Sequence, residues 1–162
     1  MKQTVTISLS MSEIIFDIQN KTYLTGRSVS EAGNPAHIAN MQANDDDENS
    51  AQILRSVTTA AARLRNRLSE YLEDGELTAN NDSMTEKDSL SFALKMPSNF
   101  NPSVTKTLSQ AAHQFVVSSA IADWFAITAK GETADYSITA EQSLKNLEEA
   151  LCKRSRPSRP AS

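Results

Sequence analysis

The sequence has little glycine and few aromatic residues, with 4 glycines and 6% Phe, Trp and Tyr in 162 residues. Scarce glycine together with frequent alanine favours helices over sandwiches or barrels. The single cysteine excludes a disulfide within the chain, which is typical of proteins from reducing compartments. No segment reaches the roughly 20 apolar residues of a membrane span. We therefore predict a soluble, mainly helical protein with no membrane partner.

The net charge is −4, and the charge is unevenly distributed along the chain. Four cations lie near the C-terminus, at Lys153, Arg154, Arg156 and Arg159. The rest of the sequence is acidic. The prolines among these cations predict an extended, flexible basic tail over residues 153–162. Such a tail binds either nucleic-acid phosphates or an acidic patch on a protein, and the sequence leaves both alternatives open.

Alternating apolar and polar residues predict two strands. The first spans residues 3–9 and points three apolar side chains to one side: Val5, Ile7 and Leu9. The second spans residues 89–96 and is closed by Pro97. It pairs either with residues 3–9 or with a strand in residues 76–84. Because a strand without a partner in its own chain needs one elsewhere, the three apolar residues are candidate docking residues.

Helical spacing and capping residues predict the elements between the strands. Ser10 and Glu13 form a capping box that begins a helix, and Gly26 is its expected end. A short helix is expected over residues 34–43, inside a polar linker. The acidic run 45–48 precedes the next helix. Its carboxylates are contiguous and lack the central glycine of a calcium loop, so they are interpreted as complements to the helix dipole.

Three further helices follow from their apolar stripes. The first carries apolar residues from Ile53 to Leu72 and should end at Gly75. The second begins with a cap at Asn101 and a proline in its first turn, and it is apolar nearly all round. A helix of this kind lies at the centre of a core or against another subunit, so Trp124 is a core or docking residue. The last helix spans residues 136–151.

Residues that commonly carry chemistry occur without suitable companions. His37 and His113 have no second ligand at metal-binding spacing, and no histidine lies near Cys152 to act as a base. Arg63 and Arg67 share a helix face, where local ion pairs are favoured over a phosphate site. We therefore predict that the chain is not an enzyme, with no catalytic residue, no metal site and no cofactor.

The order of elements in residues 51–152 resembles the head–tail connector (adaptor) proteins of tailed bacteriophages and prophages. The resemblance lies in a leucine-rich helix ending in Tyr71-Leu72, a strand ending in Met96-Pro97, an alanine-rich helix from Pro102 to Trp124, and a final leucine-rich helix. Members of that family are small helical bundles with a β element. Residues 1–50 depart from the family pattern.

The resemblance implies a fold and a function. The expected fold is a small helical bundle with a minor β element, organised as an N-terminal segment 1–50, a bundle 51–152 and a basic tail 153–162. The expected function is a structural virion protein of the neck, which joins the portal to the tail or stopper protein and assembles in the host cytoplasm. The expected partners are those proteins and further copies of the chain in a ring of about twelve.

The candidate docking residues combine the strand, the apolar helix and the tail: Val5, Ile7, Leu9, Trp124, Lys153, Arg154, Arg156 and Arg159. The alternative function is a nucleic-acid-binding or regulatory helical protein that uses the tail, and within a virion the tail would also lie near DNA without reading its sequence.

Overall fold

A computed structural model describes residues 2–29, 41–44, 46–73, 75 and 77–160. The named elements are β1 (Lys2–Leu9), α1 (Met11–Val29), α2 (Asp47–Arg67), β2 (Leu90–Pro97), α3 (Thr105–Thr128) and α4 (Thr133–Leu151). One-turn 3-10 helices, Pro102–Val104 and Lys130–Glu132, precede α3 and α4. The prediction of a mainly helical fold with a minor β element is confirmed. Most of the short helix expected over residues 34–43, with His37, lies outside the described residues.

The two strands pair with each other in an antiparallel sheet, from Lys2 opposite Pro97 to Leu9 opposite Leu90. This resolves the alternatives that the sequence left open, because the second strand pairs with the first and not with residues 76–84. Side chains alternate between the core and the solvent, as a half-buried sheet requires. β1 therefore has its partner in its own chain, and the alternative of a partner on another molecule is wrong.

Helix α3 is the centre of the fold and packs against α1, α2, α4 and β1. Thirteen of its residues are buried, including Phe115, Phe125 and Trp124. The sequence predicted this helix to be central or buried against another subunit, and the chain itself supplies the cover. The single core also includes residues of β1, α1, α2, β2 and α4, so the N-terminal segment and the bundle fold together.

Several predicted helix ends differ from the observed ones. Helix α1 continues past Gly26 to Val29, and no described glycine has the left-handed backbone that stops a helix. Helix α2 ends at Arg67, well before Gly75. The chain turns there because residues 71–73 join the free edge of β2: Glu73 donates its N–H to Ala93 (3.0 Å) and Tyr71 accepts from Lys95 (2.6 Å). These backbone groups are satisfied by the sheet instead of a helix.

The first residues of the tail bind back to the chain after the C-terminal end of α4. Residue Arg154 forms an antiparallel bridge with Phe100, and Ser155 donates its N–H to the carbonyl of Asn99 (2.7 Å). Asn101 caps the turn before α3, as predicted, by accepting from the Ser103 N–H (3.0 Å). Residues 156–160 are exposed and belong to no helix or strand.

Candidate docking surfaces

The predicted docking residues of β1 lie in the core of the folded chain. Ile7 and Leu9 are buried, and Val5 is half-buried against the same core. Their cross-strand neighbours are Phe92, Leu90 and Leu94, all buried. Since an apolar side chain inside the core is not accessible to another protein, the docking role predicted for Val5, Ile7 and Leu9 is wrong for the folded state.

Trp124 is likewise held inside the chain. Only 5% of the residue is exposed, and its indole N–H donates to the carbonyl of Met41 at 2.6 Å. This hydrogen bond connects α3 to residues 41–44, which precede α2. The core interpretation of Trp124 therefore replaces the docking interpretation. Its edge still reaches one surface cleft, described below.

Replacing Trp124 with Phe is expected to destabilise the protein by about 1–3 kcal/mol, because the buried Met41 carbonyl loses its donor. Urea denaturation followed by circular dichroism measures the change. The control is Ile127→Ala, which removes an exposed side chain one helical turn away. It should change the free energy of unfolding by no more than about 0.5 kcal/mol. Equal effects of the two substitutions would contradict the role of the hydrogen bond.

The basic tail divides into a fixed part and an exposed part. Arg154 donates to the carbonyls of Leu151 (2.8 Å) and Lys153 (3.1 Å), so its guanidinium satisfies the C-terminal end of α4. Lys153 forms an ion pair with Glu149 at 3.4 Å. Within the part of the chain that the structure describes, Arg156 and Arg159 are exposed and have no ion-pair partner. The docking role of the tail stays a prediction, and Arg156 and Arg159 are its two cations that no described carboxylate offsets.

The two arginines on the exposed face of α2 are paired with glutamates of α4. Arg63 lies 3.4 Å from Glu141, and Arg67 lies 2.7 Å from Glu148. Both pairs are about half-exposed, so each contributes little to stability. The preference for ion pairs over a phosphate site agrees with this arrangement. The partners were not evident from the sequence because they lie on another helix.

A histidine and an aspartate form the contact between α1 and α3. His113 Nε2 lies 2.6 Å from Asp17 Oδ2, at a polar cleft of about 360 Å³ that Glu13 and Ser109 also line. This pair was not evident from the sequence, because its members lie far apart in the chain. No group of three or more metal-binding side chains occurs among the described residues.

The carboxyl group of Asp123, on α3, has a shifted pKa. Partial burial raises the pKa of Asp123, and the positive charge of Arg63 opposes part of that rise. Because the pKa of Asp123 is raised in the folded state, the free energy of unfolding decreases slightly as its carboxyl ionises with increasing pH. Because this residue remains largely solvent-accessible, the effect on stability is small.

Helix α1 presents an exposed apolar surface. Phe16, Tyr23 and Leu24 are 61%, 40% and 49% exposed. Tyr23 and Leu24 follow Phe16 by seven and eight residues, about two helical turns, so the three side chains lie on one side of the helix. The guanidinium of Arg27 lies 5.8 Å from the centre of the Tyr23 ring. We call Phe16, Tyr23 and Leu24 the α1 face. The α1 face was not evident from the sequence, because its residues look like part of the same apolar stripe as the core.

A cleft of about 480 Å³ opens where the start of α2 meets the end of α3. We call it the end cleft. Its polar wall contains Asp46 and Asn49, and its apolar wall contains the edge of Trp124 and Ile127, which is 64% exposed. Asp47 and Glu48 continue the acidic run next to it and are exposed. The predicted placement of acidic residues at the start of α2 is confirmed, with Asp47 and Glu48 in its first turn.

A second groove lies between α3 and α4 at the opposite end of the bundle. Its volume is about 670 Å³, and it is lined mainly by polar side chains such as Gln110, Gln114 and Asn146, with Lys106 and Lys153 among them. Within the described residues, no helix is both long and apolar enough to cross a bilayer.

Comparisons of the chain with protein-family models, curated proteins and solved structures find no match.

Proposed function

We propose that the chain is a structural subunit of a tailed-bacteriophage neck, a head–tail connector that joins the portal to the tail or stopper protein by protein–protein contacts. The order of elements in residues 51–152 supports this proposal through its resemblance to that family. The observation that carries its protein-binding part is the α1 face, which lies outside the residues of the resemblance. Exposed aromatic and aliphatic side chains on one side of a helix are typical of protein-binding surfaces.

The α1 face has the features expected of an anchor. Phe16 and Leu24 expose about half or more of their surface, whereas Ile14 and Ile18 on the same helix are buried. The helix is therefore fixed by its core side while its outer side offers apolar area to a partner. Large apolar side chains that become buried at the centre of an interface contribute most of the binding energy.

The proposal is tested by co-expressing the chain with the portal protein and the tail or stopper protein of the same genome. We expect a complex that co-elutes in size-exclusion chromatography. Phe16→Ser with Leu24→Ser should weaken its affinity at least about tenfold, since two buried apolar side chains are lost from the interface. Stability should hardly change because both side chains are exposed in the free chain.

The matched control is Leu77→Ser, which removes a fully exposed leucine from the loop after α2. It should leave the complex intact. Absence of any complex with the wild-type chain would contradict the proposal. Binding to duplex DNA that weakens steeply with salt, without binding to either protein, would favour the nucleic-acid alternative instead.

A further inference from the structure

The bundle carries opposite charges at its two ends. The start of α2 and the end of α3 meet at the end cleft, so these helices are antiparallel, and α4 runs back from the turn after α3. The acidic end therefore contains the start of α2 and the start of α4. Its carboxylates are those of Asp46, Asp47, Glu48, Glu132 and Asp135, and Lys130 is a cation at the same end, so carboxylates predominate there.

The other end is basic. It contains the end of α4, the start of α3 and the end of α2, because Arg67 of α2 pairs with Glu148 near the end of α4. Its cations are those of Arg67, Lys106, Lys153, Arg154, Arg156 and Arg159. Two of them are offset by ion pairs with Glu148 and Glu149. The exposed Arg156 and Arg159 remain without a carboxylate among the described residues.

The exposed part of the tail has a regular chemical pattern. Arg156-Pro157 and Arg159-Pro160 repeat after three residues. Proline favours the polyproline II conformation, which has three residues per turn, so the two arginines share one side and stand about 9 Å apart. The two prolines share another side. Such a segment fits a groove that offers aromatic or aliphatic surface to the prolines and carboxylates to the arginines.

The end cleft has this composition. The edge of Trp124 and the exposed Ile127 provide apolar surface, and Asp46 lines the same cleft beside Asp47 and Glu48. These carboxylates make no ion pair within the described part of the chain, so their charge is available to a cation from outside.

The tail cannot reach the end cleft of its own chain. Ser155 is fixed to Asn99, just before α3, whereas the cleft lies beside residues 124–128. The 19 helical steps from Thr105 to Trp124 span about 28 Å, but residues 156–160 extend only about 16 Å. A contact between this segment and the cleft therefore involves two molecules.

We propose that the exposed tail segment of one copy, residues 156–160, binds in the end cleft of a second copy of this chain. The contact joins the basic end of one molecule to the acidic end of the next. A head-to-tail contact repeats from copy to copy and closes into a ring when its rotation permits. This inference rests on the proposed function and names the surfaces through which the connector subunits join.

A synthetic peptide of residues 153–160, with a fluorophore on its N-terminus, tests the contact by fluorescence anisotropy. The receiving protein is the full chain with Arg156→Glu and Arg159→Glu, whose own tail cannot compete. We expect saturable binding that weakens as salt rises from about 50 to 300 mM, because the charges on both sides are exposed. The emission of Trp124, the only tryptophan of the chain, should change with the same midpoint.

Two controls separate a specific contact from general charge attraction. Asp46→Lys with Asp47→Lys in the receiving protein should weaken binding at least about tenfold, whereas Glu13→Lys with Glu70→Lys, the same change in charge away from the cleft, should have less than about a twofold effect. A peptide with Pro157→Gly and Pro160→Gly keeps all its cations. It should bind several-fold more weakly because the free peptide is no longer pre-organised.

The inference is overturned if the peptide does not bind at about 1 mM, or if both pairs of lysine substitutions reduce binding equally. It is also overturned if the peptide binds duplex DNA and not the protein. None of these results bears on the α1 face. A connector that binds the portal through that face, but whose cleft does not bind the tail, would retain the proposed function and lose only this contact between copies.

Discussion

Truncation of Ile7 to alanine is expected to lower the free energy of unfolding by about 2–5 kcal/mol. Ile7 is fully buried and lies opposite Phe92 in the sheet. Its loss leaves a cavity next to α3, the helix on which β1 packs. Small domains have total stabilities of about 5–15 kcal/mol, so the variant should unfold at a clearly lower urea concentration.

The control for this substitution is Thr6→Ala on the same strand. Thr6 points to the solvent, and its replacement should change the free energy of unfolding by no more than about 1 kcal/mol. If β1 were a docking strand outside the core, both substitutions would leave the free energy of unfolding unchanged. Ile7→Ala would then weaken binding to a partner without affecting stability. The pair of variants thus separates the core role of this strand from the docking role that the sequence suggested.

Truncation of Phe115 to alanine is expected to cost about 3–5 kcal/mol of stability. The ring lies in the middle of α3 and is fully buried, with the guanidinium of Arg63 at 5.5 Å from its centre. The substitution removes both the apolar volume and the ring face under that cation. Chemical denaturation measures the loss, and the ellipticity of the folded baseline shows whether the remaining helices are retained.

Two controls accompany the Phe115 substitution. Phe115→Leu keeps most of the volume and should cost markedly less, about 1–2 kcal/mol. Phe16→Ala removes the same side chain from the exposed α1 face and should remain within about 0.5 kcal/mol of the wild type. A loss for Phe16→Ala as large as that for Phe115→Ala would contradict the assignment of the two phenylalanines to the surface and the core.

Local patterns predicted most of the helices and strands, because the hydrophobic period and the capping residues of an element lie within its own sequence. The alternation around Ile7, the Asn101 cap and the apolar surface of α3 all correspond to observed structure. The fold class followed from them. The end of α2 did not, because residues 71–73 are helical in pattern but bond to the far edge of β2. A tertiary contact there overrides the local helical pattern.

The surfaces were harder to predict than the elements. An apolar residue on an amphipathic segment looks the same whether its neighbours cover it or not. Ile7 was therefore predicted to dock, and Trp124 to be a core or docking residue, whereas the core encloses both. Phe16 was not singled out although it is exposed. Burial depends on which helices pack together. The structure of the tail differed from the prediction only in part. The sequence shows the charge of Arg156, but it does not show the carbonyl groups that accept hydrogen bonds from Arg154.

The pairing of β1 with β2 also sets an order of events during synthesis. Leu9 pairs with Leu90, so the first strand leaves the ribosome roughly 80 residues before its partner, a delay of about 4–16 s at ordinary rates of translation. Throughout that interval Ile7 and Leu9 are uncovered on a nascent chain. The strand that is inaccessible in the folded protein is thus transiently open to chaperones and to mispairing with other nascent copies.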